Sequence, residues 1–170
     1  MTNIEDYIFF WKIKEGDQGC LSNWFLATFE DDDIKYLHTE QYMMYHKAIL
    51  FEKTNFELHK LILNTKSPAK CKAIGQKIKN FDSKIWDNNK IAIVTKGCYL
   101  KFSQNEKLKK YLLSTGTKLL VEASPYDKIW GIGLNKKNAI EIPKEKWPGT
   151  NYLGKCLMDV RNMLISECNS

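Results

Sequence analysis

Residues 119–135 read LLVEASPYDKIWGIGLN. The opening trio, Leu119, Leu120 and Val121, is a compact apolar run and reads as a short buried strand. The residues after it are too rich in turn formers and aromatic side chains for a helix: Pro125, Asp127, Gly131 and Gly133 break any helical period. A strand that runs into a glycine-bearing loop, set among segments of helical period, decides the class. Several helices around a few short strands predict an α+β fold, in one domain over residues 1–170.

Upstream, Tyr7–Trp11 (YIFFW) reads as a strand and Lys12–Asn23 as a loop. Phe25–Phe29 and Ile34–Leu37 flank the acidic run EDDD and read as a β-hairpin. Thr39 offers a cap for a helix through Leu50. Thr54 and Glu57 have capping-box spacing for the next helix. Ser67-Pro68 opens a third, with an apolar face of Cys71, Ile74 and Ile78. A fourth follows Asp82, and Asn105 caps a short one that stops near Gly116. Downstream, Asn135–Thr150 reads as a polar, proline-containing loop. The last helix starts near Asn151 and buries Leu153, Leu157, Val160 and Leu164.

Hydrophobic residues make up 44% of the 170 and charged residues 27%, the composition of a soluble globular protein. No apolar run reaches the length of a membrane span, and MTNIEDYIFFWK shows no secretory leader. The five cysteines fall at irregular spacing without a CxxC pair, which fits reduced thiols in a cytoplasmic protein. The three histidines do not pair with them at zinc-finger spacing, so no metal is expected. The net charge of +6 favours an anionic partner, a nucleic acid or a phosphorylated small molecule, and equally fits lysine-rich solvated faces.

Four patches carry candidate chemistry. Ser22-Asn23, in GCLSNWF, is a small polar pair between apolar residues and reads first as an Asx-type turn. In TEQYMMYHK, Glu40 and Lys47 stand two turns apart on the face that carries Met43 and Met44. Lysine desolvated beside a cleft gains neutral, nucleophilic amine, whereas a neighbouring carboxylate favours the ammonium. The pair is either a proton exchanger or an inert ion pair. In the loop after the buried strand, Glu122, Asp127 and Trp130 offer two carboxylates and an indole that stacks on a heterocycle. Gly131 and Gly133 there allow backbone approach to a ligand; the GxG lacks the rest of a dinucleotide fingerprint. Gly149, Thr150 and Asn151 stand at a helix start, which favours anions, and Arg161 inside that helix reads as structural.

Taken in order, LSNWF (Leu21–Phe25), TEQYMMYHKA (Thr39–Ala48), SPAKCKAIGQ (Ser67–Gln76), Trp86, LKFSQN (Leu100–Asn105), LVEASPYDKIWGIGL (Leu120–Leu134) and TNYLGKCLMDVR (Thr150–Arg161) resemble the NADAR family, also called YbiA-like proteins. The resemblance spans nearly the whole chain. Its most specific element is D-x-x-W-G-x-G followed by N-x-L-G-x-x-L-M-x-x-R.

The resemblance implies a cofactor-free N-glycosidase of α+β, YbiA-like fold that cleaves the bond between a ribose carbon and a heterocycle nitrogen. Two substrate classes follow from it: phosphorylated pyrimidine intermediates of riboflavin biosynthesis, and ADP-ribosylated guanine in nucleic acid. It also implies roles. Lys47 attacks the anomeric carbon and forms a Schiff base, Glu40 shuttles protons, and Asp127 assists at the sugar or the leaving base. Ser22, Asn23, Trp86, Glu122, Trp130, Gly131, Gly133, Asn151 and Gly154 bind substrate. The methionine face of the Glu40–Lys47 helix is then one wall of the pocket. After the WG, riboflavin-linked bacterial members carry GGHGKGKN, whereas this chain has the longer WGIGLNKKNAIEIPKEKWPGTN. A non-catalytic ADP-ribose or NAD-binding module is the rival reading, and general nucleic-acid binding through lysine patches the third. Oligomeric state has no signal in the sequence.

Overall fold

The computed structural model describes residues 3–170; Met1 and Thr2, where the expected single domain begins, lie outside the described residues. Along the chain run β1 (Tyr7–Phe10), β2 (Phe29–Asp31), β3 (Ile34–Tyr36), α1 (Thr39–Phe51), α2 (Phe56–Asn64), α3 (Pro68–Gly75), α4 (Ser83–Ser103), α5 (Glu106–Ser114), β4 (Leu119–Glu122), α6 (Lys136–Ile140) and α7 (Tyr152–Cys168). Single 3-10 turns occupy Ile4–Asp6, Asp17–Leu21 and Lys144–Lys146. The class is α+β. The backbone forms two compact units: the chain up to Ser22 together with Glu106–Ser170, and Asn23–Asn105. Among the described residues no helix is long and apolar enough to cross a membrane.

In the Asn23–Asn105 unit, β2 and β3 pair antiparallel with Phe29 opposite Tyr36 and Asp31 opposite Ile34. Asp32 and Asp33 make the connection with φ of +48° and +65°, the two left-handed residues of a type I′ turn. The hairpin is therefore tighter than the sequence reading of residues 25–29 and 34–37. Two aspartates suffice for the turn, so Glu30 and Asp31 join the ladder instead of the loop. The outer edge of β2 is closed by an amide: Glu30 N–H donates to Gln104 Oε1 and Gln104 Nε2 donates to Glu30 O, both at 2.8 Å. Phe29, Tyr36 and Tyr42 form the buried aromatic core behind the hairpin.

The α1 cap is His38, not Thr39. Its Nδ1 accepts from Gln41 N–H at 3.0 Å, and its Nε2–H donates to the Lys66 carbonyl at 3.1 Å. A ring nitrogen replaces the hydroxyl that the sequence offered, and Thr39 becomes the first helical residue. Asn55 likewise caps α2, accepting from Leu58 N–H at 3.1 Å, so the cap stands one residue later than the Thr54 that the capping-box spacing suggests. Ser67 caps α3 with Pro68 in its first turn, and Asp82 caps α4, as read. Helix α1 packs against α2, α3 and α4.

In the other unit β1 and β4 pair in parallel, Tyr7 with Leu119 and Phe10 with Glu122. Trp11 falls just past the strand. Phe9, Val121, Ala123, Ile132 and Ala139 form the core over this pair. Residues 135–150 are not a plain loop. Asn135 Oδ1 accepts from Asn138 N–H at 2.9 Å and starts α6. Trp147 then pins the segment: Nε1–H donates to Ala139 O at 3.1 Å, and the indole meets the Tyr7 and Phe9 rings edge-on. Helix α7 lies against β4. Arg161 is structural, donating from Nη1 to Thr115 Oγ1 and Lys118 O, each at 2.8 Å.

Candidate active site

Helix α1 carries the candidate residues Glu40 and Lys47 of the Asn23–Asn105 unit. Lys47 is half-buried, and its Nζ donates to the Gly75 carbonyl at 2.9 Å. Gly75 is the last residue of α3. The next two N–H groups, of Gln76 and Lys77, bond the carbonyls of Lys72 and Ile74, which leaves the Gly75 carbonyl to the amine. Two rings complete the surroundings: Nζ is 4.7 Å from the Phe81 centroid and 5.7 Å from that of Trp86. Glu40 is buried, 5% exposed, and its backbone N–H donates to the Asn23 carbonyl at 3.0 Å.

Burial pulls the Lys47 amine below the ordinary lysine value, and the Glu40 carboxylate works against this by favouring the ammonium. The net direction is down, which enlarges the neutral, nucleophilic fraction. The rings and the helix-terminal carbonyl keep a cation tolerable in the same place.

The lining differs from the one read in the sequence. Met43 and Met44 are buried, and the Met44 sulfur packs on Gly75. What meets the amine is Phe81, Trp86 and a carbonyl. Phe81 escapes sequence reasoning. It sits between Asn80, in the left-handed region at φ +56°, and the α4 cap Asp82. Its ring packs on Phe51 at 5.3 Å. The available signal was a large aromatic placed immediately before a helix cap.

Asn23 anchors the start of α1. It is buried, its carbonyl receives Glu40 N–H, and its side-chain oxygen accepts from the Cys98 thiol at 3.9 Å. Ser22, in the other unit, is buried, and its N–H donates to Gly19 O at 3.2 Å.

The remaining sequence candidates lie in the unit of β1 and β4, around the loop after β4. Asp127 Oδ1 accepts from the N–H groups of Ile129 and Trp130, both at 2.8 Å, an Asx-type turn that fixes the loop. The Trp130 ring stands edge-on to Tyr152 at 6.3 Å. Gly131 N–Cα lies so close to the Asp127 and Glu122 carbonyls that a Cβ would stand 2.9 Å from each, and Gly133 has φ +71°. At Gly131 the approach permitted is to backbone of the loop and of β4, and at Gly133 a Cβ would meet the Lys128 and Pro148 side chains. Asn151, at φ +53°, clamps β4 with its side chain: Oδ1 accepts from Glu122 N–H at 3.0 Å, and Nδ2 donates to Leu120 O at 2.9 Å. A Cβ on Gly154 would meet Leu120 O at 2.1 Å, so Gly154 is the residue that lets α7 touch the strand.

The NADAR domain family model matches residues 9–165. The N-glycosidase R617 of Acanthamoeba polyphaga mimivirus is 46% identical over 165 residues, which cover 92% of this chain and 95% of that protein. The chloroplastic riboflavin biosynthesis protein PYRR of Arabidopsis thaliana is 30% identical over 149 residues, 85% of this chain but 23% of that longer protein. The fold is similar to that of the E. coli protein YbiA solved by NMR, with a TM-score of 0.78, 24% identity, and coverage of 96% of this chain and 88% of the other.

Proposed function

This chain belongs to the NADAR family, and on that premise we propose that it is an N-glycosidase, a hydrolase of N-glycosyl bonds, that works through the amine of Lys47. The observation that carries this reading is the half-buried Nζ, held by the Gly75 carbonyl, lowered in pKa by burial and within the influence of Glu40. The substrate is a phosphorylated ribose joined at C1′ to a heterocycle nitrogen, either a riboflavin-pathway ribosylaminopyrimidine phosphate or ADP-ribosylated guanine.

In the ring-opened sugar, C1′ is the carbon of a protonated imine, C1′=NH⁺, to the base nitrogen. The neutral Lys47 amine adds to it, and Glu40 takes the proton that the amine sheds. Glu40 returns that proton to the base nitrogen as the C1′–N bond breaks. The product of this step is the free base and a C1′=Nζ iminium. Water then adds to C1′ and expels the amine, which releases the sugar as its aldehyde. The sum is one N-glycosyl bond hydrolysed and no cofactor consumed. Phe81 and Trp86, whose faces attract cations, stabilise the iminium as they do the ammonium. In the unit of β1 and β4, the loop after β4 offers Trp130 as a face for a heterocycle and Asp127 as a partner for a sugar hydroxyl or a base. Gly131, Gly133, Asn151 and Gly154 fix that loop and its strand, Ser22 and Glu122 are further substrate contacts of this reading, and Asn23 holds the Glu40 backbone.

The test is a side-by-side turnover assay on both substrate classes. Release of free base from one of them, with a borohydride-trapped sugar adduct on the wild type and none on Lys47→Ala, is the expected result. Thermal stabilisation by ADP-ribose without turnover of either substrate would overturn the reading in favour of a binding module.

A further inference from the structure

Parallel strands end on the same side, so β1 and β4 finish together: Phe10 pairs with Glu122, and Ala123 N–H donates to the Phe10 carbonyl at 2.8 Å. Chains that diverge beyond such ends leave a crevice there, the usual ligand position in open α/β sheets. Here the crevice is a half-open groove of about 350 Å³ whose lining includes the buried Phe10 and Ala123. That volume is within the range of small-molecule sites. Trp11, Lys136, Lys137 and Glu15 also line it.

The groove combines aromatic faces with excess positive charge. Trp11 is partly buried, and its ring lies 5.8 Å from that of Tyr126, which is 87% exposed. Lys12 Nζ stands 5.0 Å from the Trp11 centroid. Lys136 and Lys137 are both exposed. Against these three cations stands one carboxylate, Glu15, which accepts from the Lys12 backbone N–H at 3.3 Å. An indole bordered by ammonium groups is complementary to a flat heterocycle that carries phosphate: the ring stacks and the amines neutralise. None of these residues takes part in the cleavage proposed above.

We propose that this groove binds a nucleotide, its base stacked on Trp11 and its phosphate held by Lys12, Lys136 and Lys137. Binding here goes beyond the glycosidase reading and needs no amine chemistry. The nucleotide is either free or part of a single-stranded nucleic acid.

The experiment is calorimetric titration of the full chain carrying Lys47→Ala, which leaves binding readable whether or not the Schiff-base mechanism is correct. The probes are 5′-AMP, adenosine and a short single-stranded oligodeoxyadenylate. Added Trp11→Ala should weaken 5′-AMP roughly tenfold or more, as loss of base stacking does, while Trp11→Phe keeps the affinity and controls for folding. The double change Lys136→Ala with Lys137→Ala should erase the preference for 5′-AMP over adenosine and flatten the salt dependence. An oligonucleotide at least about tenfold tighter than 5′-AMP assigns the site to nucleic acid, and equal affinity assigns it to the free nucleotide. Absence of 5′-AMP binding, or affinity unchanged by both sets of substitutions, overturns the proposal.

Discussion

The amine of Lys47 closes the C-terminal end of α3 by donating to the carbonyl of Gly75 at 2.9 Å. A helix C-terminus carries unpaired carbonyls and partial negative charge, so it favours the ammonium. Loss of water around the half-buried amine favours the neutral form. The balance falls on the lowered side, and the catalytic predictions rest on it.

Replacement of Lys47 should remove the covalent route altogether. Lys47→Ala and Lys47→Arg should each lower kcat by roughly 10³-fold or more, because neither side chain forms an imine. Arginine preserves the charge against the rings, so it separates nucleophilicity from electrostatics. Single-turnover assays with borohydride trapping and intact-mass readout check this. An arginine variant with near-native turnover would reduce Lys47 to a charge.

The pH dependence has a defined sign. Attack needs the neutral amine, so kcat/KM should rise with pH through the amine's pKa in the free enzyme, and that limb should lie below the ordinary lysine range. Glu40 holds the amine's pKa up, so Glu40→Gln should move the limb to lower pH. The same change should cut kcat by roughly 10²- to 10⁴-fold through loss of the proton carrier. Rate–pH profiles of the two proteins decide it. A limb that moves upward in Glu40→Gln would contradict the electrostatic pairing.

His38 links stability to pH. Its ring is fully buried, and burial lowers its pKa from 6.5 to about 4, with the Lys66 carbonyl bond opposing and Lys101 assisting. In the unfolded chain the ring binds a proton as pH falls through 6.5, whereas the folded ring stays neutral until about 4. Stability is therefore complete above pH 6.5, declines between 6.5 and 4, and is flat in this contribution below that. The full loss is at most about 3 kcal/mol. Urea titrations across this window should show the slope. His38→Asn retains a cap and should flatten the slope, leaving the part due to His46, which burial also lowers.

Gly154→Ala should damage the contact between α7 and β4. Its methyl would stand 2.1 Å from the Leu120 carbonyl and 2.4 Å from Asn151 Nδ2, both parts of the strand clamp. Backbone on one side and a clamped amide on the other leave little room for relief. A loss of about 1–3 kcal/mol is expected, as for overpacking, read as a fall in midpoint in thermal or urea unfolding. A variant as stable as the parent would mean that the helix can shift away from the strand.

Several elements were legible because their signals are local. Ser67-Pro68 and Asp82 start α3 and α4 where they stand, since a cap acts within its own first turn. The apolar run at Leu119–Val121 is the buried strand. Local reading failed where two local choices competed. His38 took the cap from Thr39 because the Lys66 carbonyl, 28 residues on, fixes its ring. Asn135 started a helix inside a segment that reads as loop, and Trp147, packed on β1, held it.

Helical geometry alone put Glu40 and Lys47 on one face of α1, and ordered motifs along the chain carried the family. Both are properties of residue order. What stands around the amine is not. Gly75, Phe81 and Trp86 reach Nζ only because α3 and the start of α4 pack against α1. A desolvated amine depends on atoms supplied by distant segments, and periodicity within one helix carries no record of them.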